Sequence, residues 1–278
     1  MIKHPTYFRL TYVVIILALM FGVYATSKPP AVIAQPSTQQ KPVIDKTLSA
    51  TLSDWSKQQS ASYSVAVQEL NGQQRVARVN AQAPMATAST YKLYVAYGIL
   101  HKVEQGKLTL QTRLKTGQTV NDCMKTMILI SDNTCGRTLG FLAGWRQTEQ
   151  LLTSRGIPTP YLNNYDANDL LLSKDKTSTA QAHLSFLRQL QRGELMNTSH
   201  TDLLLSLMKK QQWRERIPAG VPDGIAVADK PGWLPGVQND AAIVYGPKST
   251  YVIVILSDGN SPTQLSELSE VVYNYLQK

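Results

Sequence analysis

The sequence predicts an α+β chain: an antiparallel five-stranded sheet flanked by terminal helices, with an all-helical subdomain inserted between its strands. Three observations predict it. Two β-patterned runs meet at Asn71-Gly72, the middle of the chain has helical character broken by Gly and Pro, and three β-patterned runs plus an amphipathic helix close it. The two strand groups can share one sheet only if the block between them folds as its own layer. The cleft between that block and the sheet is the natural place for a site.

Taken in order, Lys3, His4 and Arg9 precede an uncharged stretch from Leu10 to Ser27 that includes VVIILALMFGV. A basic flank before an apolar run marks an export signal or a membrane anchor. The run is near the ~18-residue length that spans a bilayer. Cleavage after Ala25 or Ala34 and an uncleaved anchor therefore both stand, and either places the remainder outside the cytoplasm. Residues 28–43 are rich in Pro, Gln and Ser and read as a tether. Residues 44–278 read as the folded domain, with 44–88 and about 212–278 as its α/β part and 89–211 as its helical part.

Within the domain, Ile44, Leu48, Leu52 and Trp55 fall at helical spacing. The strand YSVAVQEL follows, then Asn71-Gly72 as a tight turn, then QRVARVN as its partner. The helical block runs from Ser89 to about Leu207. GIAVADK, NDAAIVYG and TYVIVILSDG read as strands, and a final helix from Pro262 to about Leu276 aligns Leu265, Leu268, Val272 and Leu276.

Composition narrows the function. Over 278 residues, 43% apolar and 17% charged side chains exclude a disordered tail. The net charge of +9 favours anionic surroundings, but Lys and Arg are scattered and no nucleic-acid motif accompanies them. No nucleic-acid partner is expected; anionic lipid and acidic wall polymers remain. His4, His101, His183 and His200 lack metal-ligand spacing, so neither metal nor cofactor is expected. Cys123 and Cys135, twelve positions apart, suit either a disulfide stapling two helices or two buried thiols. Met124, Met127 and Ile130 read as core positions, and Asn239-Asp240 as structural.

Three short motifs carry chemistry. Ser89-Thr90-Tyr91-Lys92 opens an apolar helical run, which places the hydroxyl and the amine on one face a turn apart. A serine becomes a nucleophile when a base takes its proton, and a lysine serves when burial and positive neighbours favour its neutral form. Ser131-Asp132-Asn133 stands between two helices, where it is either an ordinary N-cap or a proton relay with a substrate-orienting amide. Lys230-Pro231-Gly232 ends the strand IAVADK and supplies a cation and a small residue. Each motif alone is weak. Together, in this order, they match the S-x-x-K, S-D-N and K-T-G set of class A β-lactamases and penicillin-binding proteins.

The chain resembles the class A β-lactamase branch beyond those motifs, in PMATASTYKLYVAYGIL, VEQGKLTL, ILISDNTCGRTL and PAGVPDGIAVADKPG, over roughly residues 45 to 278. The resemblance implies a β-lactamase/transpeptidase-like fold, with Ser89 as nucleophile, Lys92 as general base and Ser131 as proton shuttle. It further implies that Asn133 orients substrate and that Lys230 shapes the field near Ser131. The oxyanion hole would be the N–H groups of Ser89 and Trp233, with Gly232 permitting close approach.

Three features depart from the family pattern. The segment from Pro158 to Ser178 contains no Glu to activate the deacylating water, although Asp166 and Asp169 are there. Pro231 replaces the hydroxyl residue of the third motif, which is tolerable on an edge strand, and Arg216, which falls where some members bind a carboxylate, either compensates for it or is a plain surface arginine. The stretch between Lys92 and Ser131 is short and lacks a segment that bears an aromatic wall. The expected function is a monomeric, exported serine hydrolase acylated by β-lactams, with slow deacylation. A penicillin-binding protein acting on D-Ala-D-Ala peptides, and a silent module binding wall peptide or a partner protein, remain as alternatives. If the N-terminal segment is uncleaved, the bacterial membrane is also a partner.

Overall fold

The computed structural model describes residues 1, 41–157, 176–259 and 261–278. The apolar N-terminal run, the tether up to residue 40, Asp166 and Asp169 lie outside the described residues. Among the described residues, no helix is long and apolar enough to cross a membrane.

The order is β1 (Val43–Ile44), α1 (Lys46–Lys57), β2 (Tyr63–Glu69), β3 (Arg75–Val79) and β4 (Met85–Ala86), then a 3-10 turn (Ala88–Tyr91). Next come α2 (Lys92–Glu104), α3 (Val120–Leu129), α4 (Asn133–Ala143), α5 (Trp145–Ser154), β5 (Thr177–Ser178), α6 (Ala180–Gln191) and α7 (Thr198–Lys209). The chain closes with β6 (Ala226–Leu234), β7 (Val237–Tyr245), β8 (Thr250–Ser257) and α8 (Pro262–Leu276). The α+β architecture with its inserted helical block is as the sequence predicts.

The main sheet has six strands, not five, in the order β1-β3-β2-β8-β7-β6. The extra strand is β1, whose two residues pair parallel with Arg75 and Val76. Two residues carry no period, so pattern alone misses them. Every other pairing in this sheet is antiparallel. A small second sheet pairs β4 with β5.

Alternation along the strands divides the interior into two cores. Ala66, Ala228, Ala241, Ile243, Val252, Val254 and Leu256 pack with the helical block. Val65, Val67, Ala242, Val244, Ile253 and Ile255 pack instead with Leu48 and Leu52 of α1 and Leu265, Leu268 and Val272 of α8. Helix α2 is buried from Lys92 through Leu100, the pattern of a helix surrounded on all sides.

Two local readings are corrected. The β2–β3 connection is wider than a two-residue turn: strands end at Glu69 and resume at Arg75, with Gly72 and Gln74 at φ of 68° and 55°. The Glu69 carboxylate closes it by accepting from Arg75 N at 3.0 Å and Arg75 Nη2 at 2.7 Å. Ile130, expected in the core, is exposed, while Met124 and Met127 are buried as expected.

Cys123 in α3 and Cys135 in α4 form a disulfide across the turn that holds Ser131. Closing a loop of twelve residues' separation removes denatured-state entropy worth about 3 kcal/mol in the chain-entropy model. The double variant Cys123→Ala/Cys135→Ala is therefore expected to melt about 6–12 °C lower by calorimetry. An unchanged melting temperature would show that the bridge adds nothing to stability.

Candidate active site

The site forms where four pieces of backbone converge. The 3-10 turn presents Ser89, and α2 enters directly behind it with no side-chain cap. Ala88, just before the serine, holds φ at 45°, a left-handed conformation that costs a non-glycine residue on the order of 1 kcal/mol. The α3–α4 turn presents Ser131 at φ 60°. Asp132 caps α4 by accepting from Cys135 N at 2.7 Å, so the capping reading of this motif holds. Strand β6 runs past the serine as the sheet's edge.

Lys92 sits at the centre. Its Nζ lies 3.1 Å from Ser89 Oγ, 3.2 Å from Ser131 Oγ, 2.6 Å from Ser131 O and 2.8 Å from Asn133 Oδ1. Ser131 O and Asn133 Oδ1 are acceptors only, whereas the two hydroxyls can donate or accept. A neutral amine has two protons and one lone pair. It can therefore donate to the two shorter acceptors and turn its lone pair to a hydroxyl. Burial lowers the Lys92 pKa to about 7, against the opposing pull of Asp132. Gly136 makes the burial possible, since a Cβ there would sit 2.7 Å from Lys92 Cε.

Lys230 completes the constellation from β6. Its Nζ donates to Ser131 Oγ at 2.9 Å and to Pro231 O at 2.7 Å. Burial lowers its pKa well below the usual lysine range, and Lys92 adds to the fall, while Asp229 and Asp240 oppose it. Those carboxylates are buried too. Burial raises Asp229 well above the usual carboxylate range and raises Asp240 to about 6. Arg214 Nη1 meets Asp229 Oδ1 at 2.5 Å, and Asp240 accepts from the N–H groups of Ile217 and Ala241 at 3.1 and 2.9 Å. A layer of buried carboxylates thus lies behind Lys230.

The third motif does not end its strand. β6 continues through Pro231, Gly232 and Trp233 to Leu234, opposite β7. Pro231 is accommodated because β6 has a neighbour on one side only. At Gly232 an added Cβ would lie 2.6 Å from Ser89 N and 2.9 Å from Thr90 N, so the strand packs directly on the backbone at Ser89.

Arg216 is buried beside the site but turned aside. Its Nε and Nη2 donate to Gln238 Oε1 at 3.0 and 2.7 Å, and its guanidinium carbon lies 4.8 Å from the Trp233 ring centroid. Asn239 is structural: it donates to Ala86 O at 2.7 Å and accepts from Ser257 N at 3.0 Å. His183 is a buried core histidine, its pKa lowered by burial to about 4. Among the described residues no cluster of His, Cys, Asp or Glu is placed to hold a metal ion.

The structure thus brings Ser89, Lys92, Ser131, Asn133, Lys230 and Gly232 together. Sequence reasoning missed Gly136, Asp229 and Trp213. A glycine in a helix and a lone Asp before a Lys carry no distinguishing signal, and Trp213 lies outside every motif.

Solved structures share this arrangement of elements. PBP-A, solved as a point mutant in an acyl-enzyme complex with penicillin-G, superposes with a TM-score of 0.78 at 20% identity, covering 85% of this chain and 98% of that one. A mutant of the last common ancestor of Gram-negative bacteria β-lactamase class A gives 0.74 at 23% identity, over 82% of this chain and 97% of that one. In sequence, β-lactamase AST-1 of Nocardia asteroides is 31% identical over 170 residues, which are 59% of this chain and 54% of that protein. The chain thus spans about half the length of the β-lactamases it matches. The model of the β-lactamase enzyme family matches residues 46–276, the stretch that carries the three motifs and every strand but β1. With the fold, the motifs and that match in agreement, the chain belongs to the β-lactamase enzyme family.

Proposed function

We propose that the chain is an exported serine hydrolase that takes an acyl group from β-lactams onto Ser89 and releases it slowly. One observation carries the reading: a buried Lys92 amine stands 3.1 Å from Ser89 Oγ and 3.2 Å from Ser131 Oγ. In acylation, the Ser89 proton passes to neutral Lys92 as Oγ attacks the carbonyl carbon. Negative charge on the carbonyl oxygen is held by the N–H groups of Ser89 and Trp233. The C–N bond then breaks, Ser131 gives its proton to the departing nitrogen, and the ammonium of Lys92 restores it. Lys230, bonded to Ser131 Oγ, keeps that hydroxyl turned to its task.

Release requires a base for water. The segment from Pro158 to Ser178 contains no Glu, which favours a lasting acyl-enzyme and keeps the penicillin-binding, D-Ala-D-Ala-directed reading as the second choice. A silent module has no chemical need for the buried lysine and the hydroxyls around it. The apolar N-terminus and the tether support placement outside the cytoplasm, held to the membrane or released from it.

Incubation with a fluorescent penicillin, followed by intact mass over hours, tests this reading. The expected result is one adduct per chain, absent in Ser89→Ala, that persists after excess drug is removed. No adduct at any concentration would overturn acyl transfer. Rapid loss of the adduct would overturn slow release; hydrolysis abolished by Asp166→Asn but not by Asp169→Asn would then identify the base.

A further inference from the structure

Two indoles stand open to solvent beside the turn that carries Ser131. Trp213 and Trp233 are 40% and 38% exposed, and their rings meet edge to face with centroids 5.7 Å apart. Both are tied into the site. Trp213 Nε1 donates to Ile130 O at 3.2 Å, one residue before Ser131. Trp233 follows Gly232, whose backbone packs on Ser89 N. Stacking of the buried Arg216 guanidinium on the Trp233 ring fixes one indole, and the bond to Ile130 O fixes the other. Two indoles tied in place and left open mark a contact surface rather than a packing accident.

Its position decides what it contacts. Ser131 hands its proton to the departing nitrogen, so side chains anchored around Ser131 face the leaving part of the substrate. Recognition of an anion is weakened on that side. Pro231 has no hydroxyl, and Arg216 spends Nε and Nη2 on Gln238 while Nη1 lies 3.5 Å from Glu215 Oε2. We propose that Trp213 and Trp233 form a subsite for a flat, uncharged aromatic group carried on the leaving side of the acyl donor. The assignment of that side rests on the reading of Ser89 and Ser131 given above.

Nitrocefin and cephalothin separate the question cleanly. They share one acyl part, but the leaving side bears a dinitrostyryl group in the first and an acetoxymethyl group in the second. With the full Ser89→Ala chain, equilibrium dialysis is expected to show nitrocefin bound about tenfold tighter. Adding Trp213→Phe should keep that ratio within about twofold, and adding Trp213→Ala should bring it near one. A ratio near one in Ser89→Ala, or an unchanged ratio in Trp213→Ala, overturns the subsite. Equal loss in both Trp213 variants also overturns it, by assigning the effect to the bond with Ile130. Adduct formation on the Ser89 chain is read separately by mass. The expected ratio without any adduct would retain the aromatic subsite and refute acyl transfer; an adduct with no ratio would do the reverse.

Discussion

Replacement of Lys92 by alanine is expected to slow acylation of Ser89 by about a thousandfold, within the range a positioned general base contributes. The reason is local. Among the amines that the structure places at the site, Lys92 is the one bonded to both the Ser89 and Ser131 hydroxyls, and a serine without a base is scarcely nucleophilic at neutral pH. The pH profile supplies a second readout with a defined sign. Acylation needs the neutral amine, whose pKa burial lowers to about 7. The rate should climb about tenfold per unit as pH rises toward 7 and level off above it, and Lys92→Ala should lose this limb. Stopped-flow or quenched-mass measurement across pH 5 to 9 checks it. A flat profile in the unaltered chain, or a variant slowed by less than about tenfold, would remove Lys92 from the role of base.

Gly232→Ala should be nearly as damaging, through geometry rather than charge. The added methyl would lie 2.6 Å from Ser89 N and 2.9 Å from Thr90 N, and neither main-chain atom can rotate away as a side chain would. Strand and serine must separate, which opens the space between Ser89 N–H and the strand that carries Trp233. Loss of one oxyanion donor typically costs 10²–10³-fold in rate, and a loss of at least about a hundredfold in acylation is expected here. Overpacking should also lower stability by about 1–3 kcal/mol, visible by thermal melting. An alanine variant that acylates within about threefold of the original would show that the strand tolerates the displacement and that its contact with Ser89 is not limiting.

The third motif shows why the family pattern need not be kept letter by letter. What the strand provides is an amine at Ser131, a close backbone approach at Ser89 and a free edge. Lys230, Gly232 and the terminal place of β6 in the sheet provide them with Pro231 in the middle. The lost hydroxyl leaves the bonds from Lys92 to Ser89 and Ser131 in place. Arg216 leaves them in place too, turning its donors to Gln238 and its face to an indole.

Much of the molecule was legible before any coordinates. Strands β2, β7 and β8 announce themselves because a sheet covered on both faces needs short, nearly continuous apolar runs, and helix α8 because one buried stripe spaces its apolar residues, and both patterns are visible in one dimension. Ser89, Lys92, Ser131 and Lys230 were legible for a different reason: each lies within a short motif whose members are local, so order along the chain was enough to name them. Beyond that, local order is silent. That Lys92 is fully buried, that Gly136 and Gly232 make room for it and for Ser89, that Asp229 and Asp240 back Lys230, and that Trp213 meets Trp233 were decided only by the tertiary structure. Each depends on a distance between residues far apart in the chain, set by how the helical block seats against the sheet, and no pattern within one segment encodes such a distance.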